Sequence, residues 1–195
     1  MASQSPLLQA TPAQLMMQAV ALEQAGRLVE ARWVYQILLG LDGSDVVALV
    51  GLGRIALQSE NPRSARPYFE KAVKIQPKSA ELRNQLANAL LRLGRPDKAE
   101  AHALISHKLD KNSVDTLKTL YEVYYHLDRP LKAQFYLERG LRLRPGDPSL
   151  TLALAQKLRC NGRRHKSRNS IPRRHRFRAR KRTRVSRLGL LADIH

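Results

Sequence analysis

The side chains that could do chemistry are few and scattered. Six histidines, His102, His107, His126, His165, His175 and His195, and one cysteine, Cys160, are the soft ligands of the chain. No two histidines stand at the His-x-x-x-His spacing that puts both rings on one helix face, and none forms a Cys/His cluster, so no metal site is specified. A lone cysteine excludes an intrachain disulfide and fits a reducing compartment. Gly51-Leu52-Gly53 is not followed by the residues of a phosphate loop and lies inside an apolar run, where glycine serves close packing. No nucleophile–base pair stands out. The expectation is a protein that is not an enzyme, with no cofactor and no metal.

What remains are two arrangements suited to binding. Asn84 and Asn88 lie one helical turn apart, and each amide both donates and accepts, so the pair can hold the backbone of an extended peptide. The alternative is an ordinary solvated helix face. The second arrangement is a run of cations. Of a net charge of +19, most lies between Arg163 and Arg187, which carry 11 Arg, 2 Lys and no acid. Arg173, Arg174, Arg176, Arg178, Arg180, Lys181, Arg182 and Arg184 are the candidate nucleic-acid contacts. Such a run repels itself and is expected to be disordered alone, and it would gain affinity by releasing counterions from phosphates. With one interleaved aromatic, Phe177, stacking on single-stranded bases is poorly supported. A nuclear address and an acidic membrane surface are further readings. The composition also changes abruptly after Gly162, as it would if an altered reading frame had replaced the rest of the protein.

The elements that must position these residues are set by a repeat. Ala31, Ala65, Ala99 and Ala133 stand 34 residues apart, as do Asp45, Ser79, Ser113 and Asp147, and Pro62, Pro96 and Pro130. Each ladder has a physical role. Asp and Ser at the start of a helix accept from its free N–H groups. Proline opens a helix where the missing N–H is not needed. Alanine allows two helices to cross closely. Between Val46 and Ser79 the pattern runs Leu49, Leu52, Gly53, Ala65, Phe69, Ala72, Pro77. It resembles the tetratricopeptide repeat, a pair of antiparallel helices per 34 residues. The departures are Ala56, where the family has Tyr, and Pro67, which should kink the second helix or mark a late start.

The resemblance implies an all-α fold, a right-handed α-solenoid of stacked antiparallel helix pairs, covering about residues 12–162. The expected organisation is a leader (1–11), four repeats (12–45, 46–79, 80–113 and 114–147), a terminal helix (148–162) and a basic tail (163–195). The third repeat weakens at Ala103, Ser106 and Lys111, where Phe, Ala and Pro are usual. Trp33 reads as an inter-repeat contact, and Tyr121 and Tyr124 as core. No stretch approaches a membrane span.

In such arrays the first helix of each pair lines a concave groove. By register the candidate partner-binding residues are Arg54, Asn84, Asn88, Arg92, Lys118, Glu122 and Tyr125. Some family members hold a C-terminal carboxylate with a Lys, Asn and Arg set on these helices. Here the matching positions are Met16, Val20, Gly51, Glu81 and Gln85, or one repeat on Val50, Arg54, Gln85, Asp115 and Thr119, and neither supplies the clamp. The resemblance therefore implies a cytoplasmic scaffold or adaptor that binds a peptide or helix of another protein, of unspecified oligomeric state. The alternatives are a nucleic-acid-associated protein using the Arg-rich tail, and the front of a larger enzyme such as a transferase.

Overall fold

The computed structural model describes residues 11–155. Its first unit, up to Asp147, contains eight helices: α1 (Pro12–Gln24), α2 (Leu28–Leu41), α3 (Val46–Gln58), α4 (Pro62–Ile75), α5 (Ala80–Arg92), α6 (Pro96–Leu109), α7 (Val114–His126) and α8 (Pro130–Leu143). Each helix packs on its neighbours in sequence, and α3 touches α1 and α7 touches α5. First helices thus form one layer and second helices another, an all-α solenoid of stacked helix pairs. Residues 148–155 are helical and belong to a second unit. The expected course of that helix beyond residue 155, the leader before residue 11 and the whole basic tail, with Arg173 to Arg184, lie outside the described residues. Among the described residues there is no strand, and no helix is long and apolar enough to cross a membrane.

The helix starts follow from side-chain caps. Asp45 accepts from Val47 N and Ala48 N, Ser79 from Leu82 N and Ser113 from Thr116 N. Thr11 and Gln14 close a reciprocal capping box on α1. Pro62, Pro96 and Pro130 open α4, α6 and α8. The turn inside each pair repeats as well. Arg27, Asn61, Arg95 and Arg129 donate their N–H back to the carbonyls of Leu22, Ala56, Leu90 and Tyr124. The residue before each is left-handed: Gly26, Glu60, Gly94 and Asp128, with φ between 51° and 75°. This is the Schellman termination, which satisfies the orphan carbonyls of the preceding helix.

The alanine ladder is buried, with Ala31, Ala65 and Ala99 fully enclosed. The two glycines of α3 are packing residues. A Cβ on Gly51 would fall 2.4 Å from the ring of Tyr35, and one on Gly53 would fall 2.6 Å from the ring of Phe69. Around these contacts a first core (Leu15, Val34, Tyr35, Leu52, Ile55) fills the leading repeats. A second (Leu49, Phe69, Leu86, Leu90, Leu120, Tyr124) fills the following ones.

Two expectations are corrected. The late start at Pro67 does not occur: α4 begins at Pro62 and runs through Pro67. Pro67 is exposed, so the Arg63 carbonyl that it leaves without a donor can face water, and the Asn61 cap fixes the start at Pro62, five residues earlier. Trp33 is half exposed rather than enclosed between repeats, because α2 buries Ala31, Val34, Tyr35 and Leu38 instead.

Candidate interaction groove

The layer of first helices carries a cleft of about 510 Å³. One wall is α5, through Ala80, Glu81, Asn84, Gln85 and Asn88; the other is α7, through Asp115, Lys118, Thr119 and Glu122. Asp110 and Ser113, from the turn before α7, close one end. The wall positions on α5 recur every three to four residues because Leu82, Leu86, Ala87 and Leu90 turn the opposite stripe into the core.

Of the seven residues marked by register, the structure brings four together here: Asn84, Asn88, Lys118 and Glu122. Asn84 Oδ1 is enclosed and accepts from no other described residue. Lys118 Nζ lies 3.0 Å from Asp147 Oδ2 and 3.5 Å from Asp115 Oδ1. Thr119 Oγ1 donates to the Asp115 carbonyl at 3.0 Å. Glu122 reaches solvent, but the concave surface surrounds it with protein. That desolvation raises its carboxyl pKa above the ordinary value, against the opposing pull of His126, Arg92 and Lys118.

The other three have different surroundings. Arg54 forms a two-pronged ion pair with Glu23, Nε to Oε1 at 2.9 Å and Nη2 to Oε2 at 2.8 Å. The same carboxylate accepts from Tyr35 OH at 2.9 Å. Burial, then Glu23, pushes the Tyr35 phenol up to about 12, and the pairing with Glu23 raises the Arg54 guanidinium further still. Arg92 Nη1 donates to the Leu57 carbonyl at 3.0 Å, capping the end of α3. Arg54 therefore ties α3 to α1 and Arg92 ties α5 to α3. Tyr125 is well exposed, beside Tyr121 and His126, and does not line the cleft.

Sequence reasoning missed the electrostatic character of this wall. Asp110 and Ser113 were legible only as turn and cap, and Asp147, also a cap position, is the buried partner of Lys118. The identity of Ser106 has a reason too. Its hydroxyl donates to the Ala80 carbonyl at 2.8 Å and lies 2.9 Å from Thr116 Oγ1, so it ties α6 to both cleft helices.

Between the two layers Tyr124 of α7 and Tyr136 of α8 stack with centroids 5.5 Å apart, and Phe135 and His107 meet the Tyr136 ring edge-on. Tyr124 is buried core, while Phe135 is half exposed. Burial lowers the pKa of His102 and His107 below the ordinary imidazole value, which favours the neutral form of both rings. No three His, Cys, Asp or Glu side chains converge as metal ligands among the described residues.

Residues 56–104 match the family model described as tetratricopeptide repeat. No curated protein is similar enough to the chain to count as a match. Solved structures share the fold. MamA from Desulfovibrio magneticus RS-1, from its residue 41 to its end, superposes with a TM-score of 0.64 at 20% identity, covering 71% of this chain and 78% of that one. A further crystal structure of MamA gives 0.61 at 23%, covering 71% and 84%. The APC/C hetero-tetramer Cut9-Hcn1 gives 0.69 at 21%, covering 75% of this chain and 30% of the other.

Proposed function

We propose that this chain, whose residues 56–104 match the tetratricopeptide repeat model, is a non-enzymatic scaffold whose α5–α7 cleft holds an extended segment of another protein. The fold supports a protein-interaction role in general, since an array of helix pairs offers an extended surface rather than a catalytic pocket. The observation that carries the reading is the amide row Asn84, Gln85 and Asn88 opposite Lys118, Thr119 and Glu122 across an open cleft. Each amide can donate to a peptide carbonyl and accept from a peptide N–H. Glu23–Arg54 and Arg92–Leu57 link α1, α3 and α5, and Ser106 of α6 links the two cleft walls, α5 and α7. Rigid walls lower the ordering cost of capture. In this reading Asn84, Asn88, Lys118 and Glu122 touch the partner. Arg92 holds the α5 wall to α3, Arg54 ties α3 to α1, and Tyr125 extends the contact surface beyond the cleft. The single cysteine supports placing this role in a reducing compartment such as the cytoplasm.

The test is affinity capture from lysate with the full chain, nuclease-treated and at raised salt, beside the Asn88→Ala variant. Loss of a defined set of proteins on the variant, by roughly fivefold or more, is the expected result. Equal capture by both removes the cleft from the account. Material released by nuclease instead assigns binding to the Arg173–Arg184 segment and demotes the scaffold reading.

A further inference from the structure

We infer that the cleft between α5 and α7 selects a basic partner segment, an extended stretch of peptide bearing Lys or Arg; this rests on the scaffold reading above. Four carboxylates line the space, from Glu81, Asp110, Asp115 and Glu122, and a fifth, Asp147, sits behind Lys118. The one ammonium among them, Lys118, is already shared between Asp147 and Asp115. Arg54 is paired with Glu23, while Arg92 donates to the neutral Leu57 carbonyl, keeps its charge and acts on Glu122.

The helix termini oppose this and lose. The N-terminal ends of α5 and α7 open at the cleft, and each is equivalent to roughly +0.5 charge. Together they offset about one carboxylate of the five; Lys118, Arg92 beside Glu122 and Arg144, 3.9 Å from Asp147, offset others, and the lining still carries the carboxylates in excess. The third-residue amides of the two helices, Leu82 N and Thr116 N, are already taken by Ser79 and Ser113, which weakens the site for an anion. Hydrogen-bonding capacity agrees with charge. Asn84 Oδ1 is an enclosed acceptor with no donor from the described residues, and a guanidinium, an ammonium or a peptide N–H supplies one where a carboxylate does not. Glu122, short of solvent and with a raised pKa, gains from a cation beside it.

The sign is opposite to that of the whole chain, which is +19. Long-range attraction therefore favours acidic partners, but screening limits that field to about 8 Å at physiological ionic strength. Inside the cleft the local carboxylates decide. From Ala80 to Asn88 the wall runs about 12 Å at 1.5 Å per residue, enough for three or four extended residues at about 3.3 Å each.

The experiment is selection of a random dodecapeptide display library on the nuclease-treated full chain. Peptides are then sorted by whether Asn88→Ala abolishes their retention, which sets aside those held by the Arg-rich segment. The expected result is that Asn88-dependent peptides are enriched in Lys and Arg and weaken about fivefold in each of Glu81→Gln and Glu122→Gln, and further with salt. These two changes remove charge at the surface and leave the core intact. Asn88-dependent peptides that are neutral or acidic, or that ignore both Gln variants, overturn the basic class while the cleft itself stands. A library with no Asn88-dependent peptide overturns the scaffold reading and this inference with it.

Discussion

Gly53→Ala isolates what the repeat demands of its closest helix contact. An alanine in place of glycine inside a helix normally stabilises it by about 1 kcal/mol. Here the added Cβ would lie 2.6, 2.7 and 2.9 Å from three carbons of the Phe69 ring, where contact distance between carbons is about 3.5–4.0 Å. Phe69 is fully buried, so its ring has nowhere to retreat without moving α4 against α3. Overpacking of this kind costs about 1–3 kcal/mol. With three overlapping atoms we take the upper end, which outweighs the helix-propensity gain and leaves a net loss of about 2 kcal/mol. For a chain of this size that lowers the thermal midpoint by about 4–8 °C. Gly40 is the control: it lies in α2, and a Cβ there meets nothing within 4 Å. Gly40→Ala should raise the midpoint, by up to about 1 kcal/mol or a few degrees. The assay is thermal unfolding followed by helical circular dichroism, with Phe69→Leu added to each background. Phe69→Leu shortens the clashing ring, so it should do less harm in Gly53→Ala than in the parent, with a coupling of about 1 kcal/mol or more. If Gly53→Ala raises the midpoint as Gly40→Ala does, the close-contact argument is wrong.

Two further outcomes follow from the same structure. Ser106→Ala should destabilise by about 1 kcal/mol in urea unfolding, because the link from α6 to the Ala80 carbonyl is lost while Thr116 Oγ1 keeps Ser113 Oγ at 3.0 Å; a neutral or stabilising result would mean that the usual family alanine suits the site equally well. Tyr35 keeps its proton to about 12 when folded and to about 10 when unfolded, so its contribution to stability is complete below pH 10 and lost as pH rises towards 12. Tyrosinate absorbance against pH should show a late-titrating group that shifts earlier in Glu23→Gln; a single transition near the ordinary phenol value of about 10 with the helices intact would contradict it.

The sequence by itself determined the elements and their order. Caps, opening prolines and the 34-residue alanine ladder act within one or two turns of chain, so Asp45, Ser79, Ser113 and Pro62, Pro96, Pro130 specify helix starts whatever the packing around them. Gly53 was readable as a packing glycine for the same reason, since it repeats the family's phrase. The tertiary structure alone decided which polar residues on the first helices have charge to offer. Arg54 is a cation on the expected face, yet its ion-pair partner Glu23 is 31 residues away along the chain, and Arg92 is fixed, though not neutralised, by the Leu57 carbonyl 35 residues away. Lys118 is likewise quenched by Asp147, which looks in sequence like one more helix cap. Helical register tells which face a side chain leaves from; an ion pair depends on how one repeat is set against the next. That is why a groove which reads as mixed and partly basic along the chain is acidic in space.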